Sequence, residues 1–166
     1  QAAGALVYYL TAYTVMTAGA FGVVALLSGK GDSNANVHDM RGLGFRFPWI
    51  GAAMTLFMVS LAGFPPTAGF FAKFYLFSAA VQKGHVLLVV IAAINSVISV
   101  YYYLRVAVIM YMYRREEEAP SLPARFYAPM GISVGLAAVA VLVLGLIPTH
   151  LLDLARQSAM LALRPW

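Results

Sequence analysis

Within the stretch from Phe47 to Val81, Lys73 is the only side chain that carries a charge at neutral pH; its neighbours are apolar, aromatic, small or hydroxyl residues. An amine in such surroundings is costly unless it is paired or has a function. Shortly before it, Gly63-Phe64-Pro65-Pro66-Thr67-Ala68-Gly69 interrupts the apolar run. Two consecutive prolines remove two helix donors and push the preceding residue out of the α region. The stretch therefore reads as a membrane helix in two pieces. Gly63, Pro65, Pro66 and Gly69 form the break, and Lys73 falls in the first turn or two of the second piece. Backbone left unpaired in hydrocarbon survives only where it is buried in protein or faces water, and helices broken in this way mark ion pathways in transporters. Loss of hydration and the positive end of the second half-helix both act on the amine, so Lys73 can load and unload a proton. The competing readings are a static ion pair and a lysine that snorkels to the surface. Against snorkelling, the polar turn at Gln82 is ~13 Å of helix away, which puts Lys73 near the middle of a core ~30 Å thick.

A second polar group follows. Asn95 and Ser99 are i, i+4 neighbours, and Tyr102 or Tyr103 continues their face one turn on, with Ser96 beside it. Arg105 comes near the end of the same span, placed to snorkel or to neutralise a carboxylate on a neighbouring helix. Two readings stay open: hydrogen-bonding glue between helices, or the lining of a water path from Lys73, with Asn95, Ser99, Tyr102 and Arg105 as candidates. Tyr9 and Tyr13 with Thr11, Thr14 and Thr17 make a mildly polar stripe, read first as a packing surface and second as a water-lined face. His38 beside Asp39 in a loop is no metal site, and the absence of cysteine removes disulfides, iron–sulfur clusters and thiolate metal sites from this chain.

The elements that must position these residues are helices in a bilayer. Hydrophobic residues make up 62% of the sequence, charged ones 10%, and the mean hydropathy is +0.81, more apolar surface than a soluble core could cover. As one unbroken helix Phe47–Val81 would be ~50 Å long, well beyond the hydrocarbon thickness. We expect an all-α, polytopic transmembrane bundle with one discontinuous helix, forming a single membrane domain fragment. The spans run over residues 5–27, 47–81 (broken at 62–69), 86–113 and 127–147. Residues 150–166 form an interfacial tail anchored by Trp166. The fourth span has no ionisable group and reads as a support. No signal-peptide pattern is present at Gln1, and the chain reads as a piece of a longer protein. The net charge of +5 is spread over the loops and is no nucleic-acid signal. Lys30, Arg41, Arg46, Arg114, Arg115 and Arg125 lie on one side, and Lys83, Arg156 and Arg164 on the other. This asymmetry predicts cytoplasmic long loops and a periplasmic C-terminus.

The residues SLAGFPPTAGFFAKFYLFSAAVQKG, followed by INSVISVYYYLRVAVIMYMY, resemble the antiporter-like subunits of bacterial NADH-quinone oxidoreductase (respiratory complex I), in particular their subunit N family. The likeness runs from about Phe45 to Tyr113. The GxPPxxGFxxK segment alone also fits the Mrp cation/proton antiporters; Asn95-Ser96-Val97-Ile98-Ser99 with Tyr101-Tyr102-Tyr103-Leu104-Arg105 points to subunit N. The resemblance implies that this chain is the last four of fourteen helices, in a bacterial inner membrane, with both termini of the full subunit in the periplasm. It matches Lys73 to a lysine on a broken twelfth helix that closes a proton half-channel toward the periplasm. It matches Gly63, Pro65, Pro66 and Gly69 to that helix's break. A glutamate on the fifth helix and lysines on the seventh and eighth would lie upstream. Flavin, iron–sulfur clusters and quinone would belong to partner subunits, with no cofactor on this chain. Its partners would be other antiporter-like and small helical membrane subunits and the lipid bilayer. The alternatives are an Mrp-type sodium/proton antiporter subunit and a passive membrane scaffold.

Overall fold

The computed structural model describes residues 2–27, 37–112, 128–148 and 153–154. Helix α1 covers Ala2–Leu27. A 3-10 turn at Val37–Met40 and the short helix α2, Leu43–Arg46, lead into α3, Pro48–Ala62. Helix α4 covers Ala68–Gln82, α5 Val86–Met112 and α6 Ala128–Leu146. The described residues are helical with no strand among them, as an all-α transmembrane bundle requires. Three helices, α1, α5 and α6, are long and apolar enough to cross a bilayer. Helices α3 and α4, at 15 residues each, would rise only ~22 Å apiece and reach across a ~30 Å core only in series.

Helix α1 is the spine of the bundle. Its buried face, Tyr8, Ala12, Met16, Ala20, Val23 and Leu27, recurs every three or four residues, so one side of the helix meets α3, α4 and α6. Along that side Tyr8 stands edge-on to Tyr75 of α4, Met16 meets the α3–α4 junction, and Gly19 lies against the ring of Phe57 in α3. The two short helices thus follow one another, antiparallel to α1, and their junction is opposite its middle. Lipid offers no hydrophobic drive between membrane helices, so close van der Waals approach and hydrogen bonds carry the association. Gly19 has no room for a Cβ beside Phe57, and Gly145 of α6 has none beside the backbone of Pro66 and Thr67. The Tyr8 hydroxyl donates to the Leu144 carbonyl at 2.7 Å, tying α1 to α6.

Part of the long polar loop expected between the first two spans is ordered packing. Leu43 and Met40 are buried, and Tyr111 of α5 fills the space left by Gly44 and Gly51, stacking edge-on with Phe45. Tyr111 is therefore a packing residue. Pro48 occupies the first turn of α3, where its missing N–H costs nothing. The expected span boundaries at 113 and 127 lie outside the described residues. So do Lys30, Arg114, Arg115 and Arg125 of the charge count, the side chains of His38 and Asp39, and all of the interfacial tail except residues 153 and 154.

Candidate functional site

The site begins with the way α3 stops. Gly63 takes a left-handed conformation, φ 92°, which any residue with a Cβ resists. Its N–H bonds the Ser60 carbonyl at 3.0 Å, and the N–H of Phe64 reaches back to the Val59 carbonyl at 3.2 Å, the paired closure of a Schellman motif. That leaves the last carbonyls of the helix, Leu61 and Ala62, without backbone partners. Lys73 supplies them: Nζ donates to Leu61 O at 3.0 Å and to Ala62 O at 3.2 Å.

The chain then turns through Phe64–Thr67, with the Pro65–Pro66 peptide cis and the Thr67 N–H bonded to the Phe64 carbonyl at 3.1 Å. The Thr67 hydroxyl donates to the same carbonyl at 2.6 Å and makes no cap bond to α4. That task passes to Ser60, which is wholly buried: its Oγ accepts from the Gly69 N–H at 3.1 Å and donates to Met16 Sδ at 2.9 Å. One hydroxyl thus joins α3, α4 and α1 at the break. The discontinuity is consistent with the broken helix expected from the double proline, with non-helical backbone confined to Gly63–Thr67.

Sequence reasoning set Lys73 under the positive end of α4. Its nitrogen also lies at the carbonyl end of α3, a partner that sequence reasoning did not name. The reason is geometric: helix side chains lean toward the N-terminus of their own helix, so a long side chain a turn and a half into α4 reaches back across the break.

Lys73 also borders a cavity of about 470 Å3 between α1, α4 and α5. Its polar lining brings together Lys73, Asn95, Ser96 and Ser99 with Tyr9, Tyr13 and Tyr103. Of the expected lining residues, Tyr102 and Arg105 are not in it. Tyr102 is 61% exposed and lines a neighbouring cavity, and Arg105 is exposed and lines neither. On an α5 face built from Asn95 and Ser99, the next residue four on is Tyr103, and that spacing selects it over Tyr102. Ser99 also bonds the Ser96 carbonyl at 2.7 Å, the usual local bond of a helical serine. Sequence reasoning missed Ser60. The only signal for it was a lone hydroxyl nine residues before Gly69, which points nowhere until the break is folded. No cluster of metal-ligating side chains occurs among the described residues.

A family model described as NADH:quinone oxidoreductase/Mrp antiporter, transmembrane, matches residues 1–99. The chain is 46% identical over 156 residues to NADH-quinone oxidoreductase subunit N of Trichlorobacter lovleyi, a match covering 94% of this chain and 32% of that protein. It is 41% identical over 156 residues to subunit N 1 of Solibacter usitatus, covering 93% of this chain and 32% of the relative. The chain spans about a third of the length of these curated relatives. Among solved structures, a chain of respiratory complex I from Thermus thermophilus, with bound aureothin, superposes with a TM-score of 0.78 at 34% identity, covering 91% of this chain and 34% of that one. On these likenesses the chain belongs to the NADH:quinone oxidoreductase/Mrp antiporter transmembrane family, where its similarity is to the subunit N members.

Proposed function

We propose that this chain is the C-terminal, membrane-embedded part of a proton-translocating subunit of respiratory complex I, in which Lys73 holds and releases the proton at one end of a half-channel. The observation that carries this reading is the pairing of Lys73 Nζ with the Leu61 and Ala62 carbonyls at the edge of a cavity that also holds Asn95, Ser99 and Tyr103. A protonated amine has three N–H donors, and these two carbonyls engage two of them. A neutral amine has two N–H donors and one lone pair, so it can keep both carbonyls and turn the lone pair to the remaining direction. Both protonation states therefore fit the same two acceptors, and the third position is where a proton is exchanged.

The break opposite the middle of α1 supports a depth near the membrane midplane, and the cavity with Asn95, Ser99 and Tyr103 is the route by which water would reach the amine. Energy would come from NADH:quinone electron transfer elsewhere in the complex. Flavin, iron–sulfur clusters and quinone are assigned to partner subunits, and the C-terminus to the periplasm. Upstream ionisable residues of the full-length subunit would pass the proton to this end. The likeness to subunit N proteins favours complex I over an Mrp antiporter.

The test is Lys73→Met in the intact complex. Proton pumping into sealed vesicles should drop sharply while the complex still assembles. Unchanged pumping by an assembled variant would leave the chain a passive scaffold.

A further inference from the structure

Helix α5 is the least embedded of the three long helices. No residue in its most apolar part is buried in the bundle, whereas a third of that part of α1 is. Its open side is patterned. Leu87, Ile91, Ile94, Ile98, Tyr101 and Arg105 follow one another at alternating intervals of four and three residues, the series runs on to Met112, and every member is exposed. This repeat keeps one seam of a helix against a neighbouring helix over its whole length. Most membrane bundles pack in the same way, with helices crossing at about 20°.

Arg105 is the one charged member of the seam. A guanidinium keeps its charge in any protein setting, and among the described residues Arg105 has no hydrogen bond or ion pair. The six acidic residues of the chain all lie outside its apolar runs. Charged side chains inside membrane spans almost always face protein or water, seldom lipid. Tyr111 rests against Gly44 and Gly51, which sets the end of α5 level with Arg46 and Trp49, residue types that gather at a membrane surface. Arg105 is ~9 Å deeper, and helical side chains lean toward the N-terminus of their own helix, here away from that surface. A lipid phosphate is therefore the poorer partner. A carboxylate on another helix can meet the guanidinium at its own depth through two parallel hydrogen bonds.

The seam does not belong to the Lys73 site. By helical geometry it lies about 130° round α5 from Asn95, Ser99 and Tyr103, which line the Lys73 cavity. Ionisable residues that pass a proton to Lys73 must approach on the cavity side. The rest of this protein is drawn there, and the seam is left to another chain. We propose that this face of α5 docks a transmembrane helix of a neighbouring subunit, apolar along its own seam and bearing one aspartate or glutamate opposite Arg105. The choice of a neighbouring subunit over the upstream part of this protein rests on the reading of Lys73 as the proton-carrying group.

The experiment places the photo-cross-linking residue p-benzoylphenylalanine in place of Ile98, within the whole complex in its membrane. Irradiation should join this subunit to one other subunit, through a transmembrane segment that holds one acidic residue. Should that variant fail to assemble, Ile94 offers the same face one turn away. Arg105→Gln should lower the yield of the adduct several-fold, and Arg105→Lys should keep most of it. An adduct confined to this subunit's own upstream helices, or to lipid, overturns the docking face. So does an adduct with a segment that lacks a carboxylate, or a yield that Arg105→Gln leaves unchanged. The contact needs no proton transfer, so the adduct should form equally well in Lys73→Met. Loss of pumping by Lys73→Met without a neighbour adduct sinks the seam and spares the proton-carrying role. Full pumping by Lys73→Met beside the adduct does the reverse.

Discussion

The chain interrupts its helices twice with the same device, and the two cases are treated very differently by their surroundings. Helix α3 ends at Gly63 and α4 at Lys83, followed by Gly84, whose φ of 82° is close to the 92° of Gly63. In both, the glycine N–H closes back on the carbonyl three residues earlier and the next N–H on the carbonyl five earlier: Gly63 to Ser60 and Phe64 to Val59 in one, Gly84 to Val81 and His85 to Ala80 in the other. At the second, Gln82 to His85 are exposed and nothing lies within 4 Å of where a Cβ on Gly84 would stand. Water can satisfy the last carbonyls there. At the first, the site for such a Cβ is 3.2 Å from Lys73 Cδ and 3.3 Å from its Nζ, and the lysine takes the carbonyls instead. A like backbone stop becomes a solvent-facing turn in one place and a lysine-capped helix end in the other.

Substitutions can sharpen or break that contrast. The largest effect is expected for Lys73→Met, which leaves two buried carbonyls unpaired at about 1–3 kcal/mol each and removes pumping; Lys83→Met should stay within about 0.5 kcal/mol and pump normally. Thermal dissociation of the purified complex, scored beside vesicle acidification, separates the two. Next comes Gly69→Ala. Its Cβ would run into the Ser60 carbonyl, a backbone atom that cannot step aside, at a cost of about 1–3 kcal/mol. Gly63→Ala and Gly84→Ala both strain a left-handed residue by about 1 kcal/mol, but only the former also crowds Lys73, so it should lower both stability and pumping more. Equal behaviour of the two glycine variants would dissolve the comparison. The smallest change is expected for Ser60→Ala, about 1 kcal/mol for a lost cap, seen as a modest fall in dissociation temperature.

Much of this was legible beforehand, for physical reasons. Two prolines inside an apolar run cannot continue a helix, and one cation in such a run must be accounted for; neither inference needs tertiary structure. The all-helical membrane bundle likewise follows from apolar runs long enough to span. Three things did not follow. Ser60 resembles any small residue in a membrane helix until the break brings Gly69 beside it. Tyr102 and Tyr103 are adjacent in sequence, and a few tens of degrees of helix rotation decide which one faces Lys73. The direction of Lys73 was readable in principle, because side chains lean toward their helix N-terminus. Reasoning from the nearer helix dipole alone did not bring in the α3 carbonyls.

Gly145 of α6 has a consequence that its plain, uncharged surroundings conceal. With the Pro66–Thr67 backbone seated on it, Met16 behind Ser60, and Ser60 gripping Gly69, the double-proline corner is wedged by neighbours on several sides. The corner is therefore tied to α1, α4 and α6 on its inner side, while Phe64, Pro65 and Pro66 remain exposed on the outer.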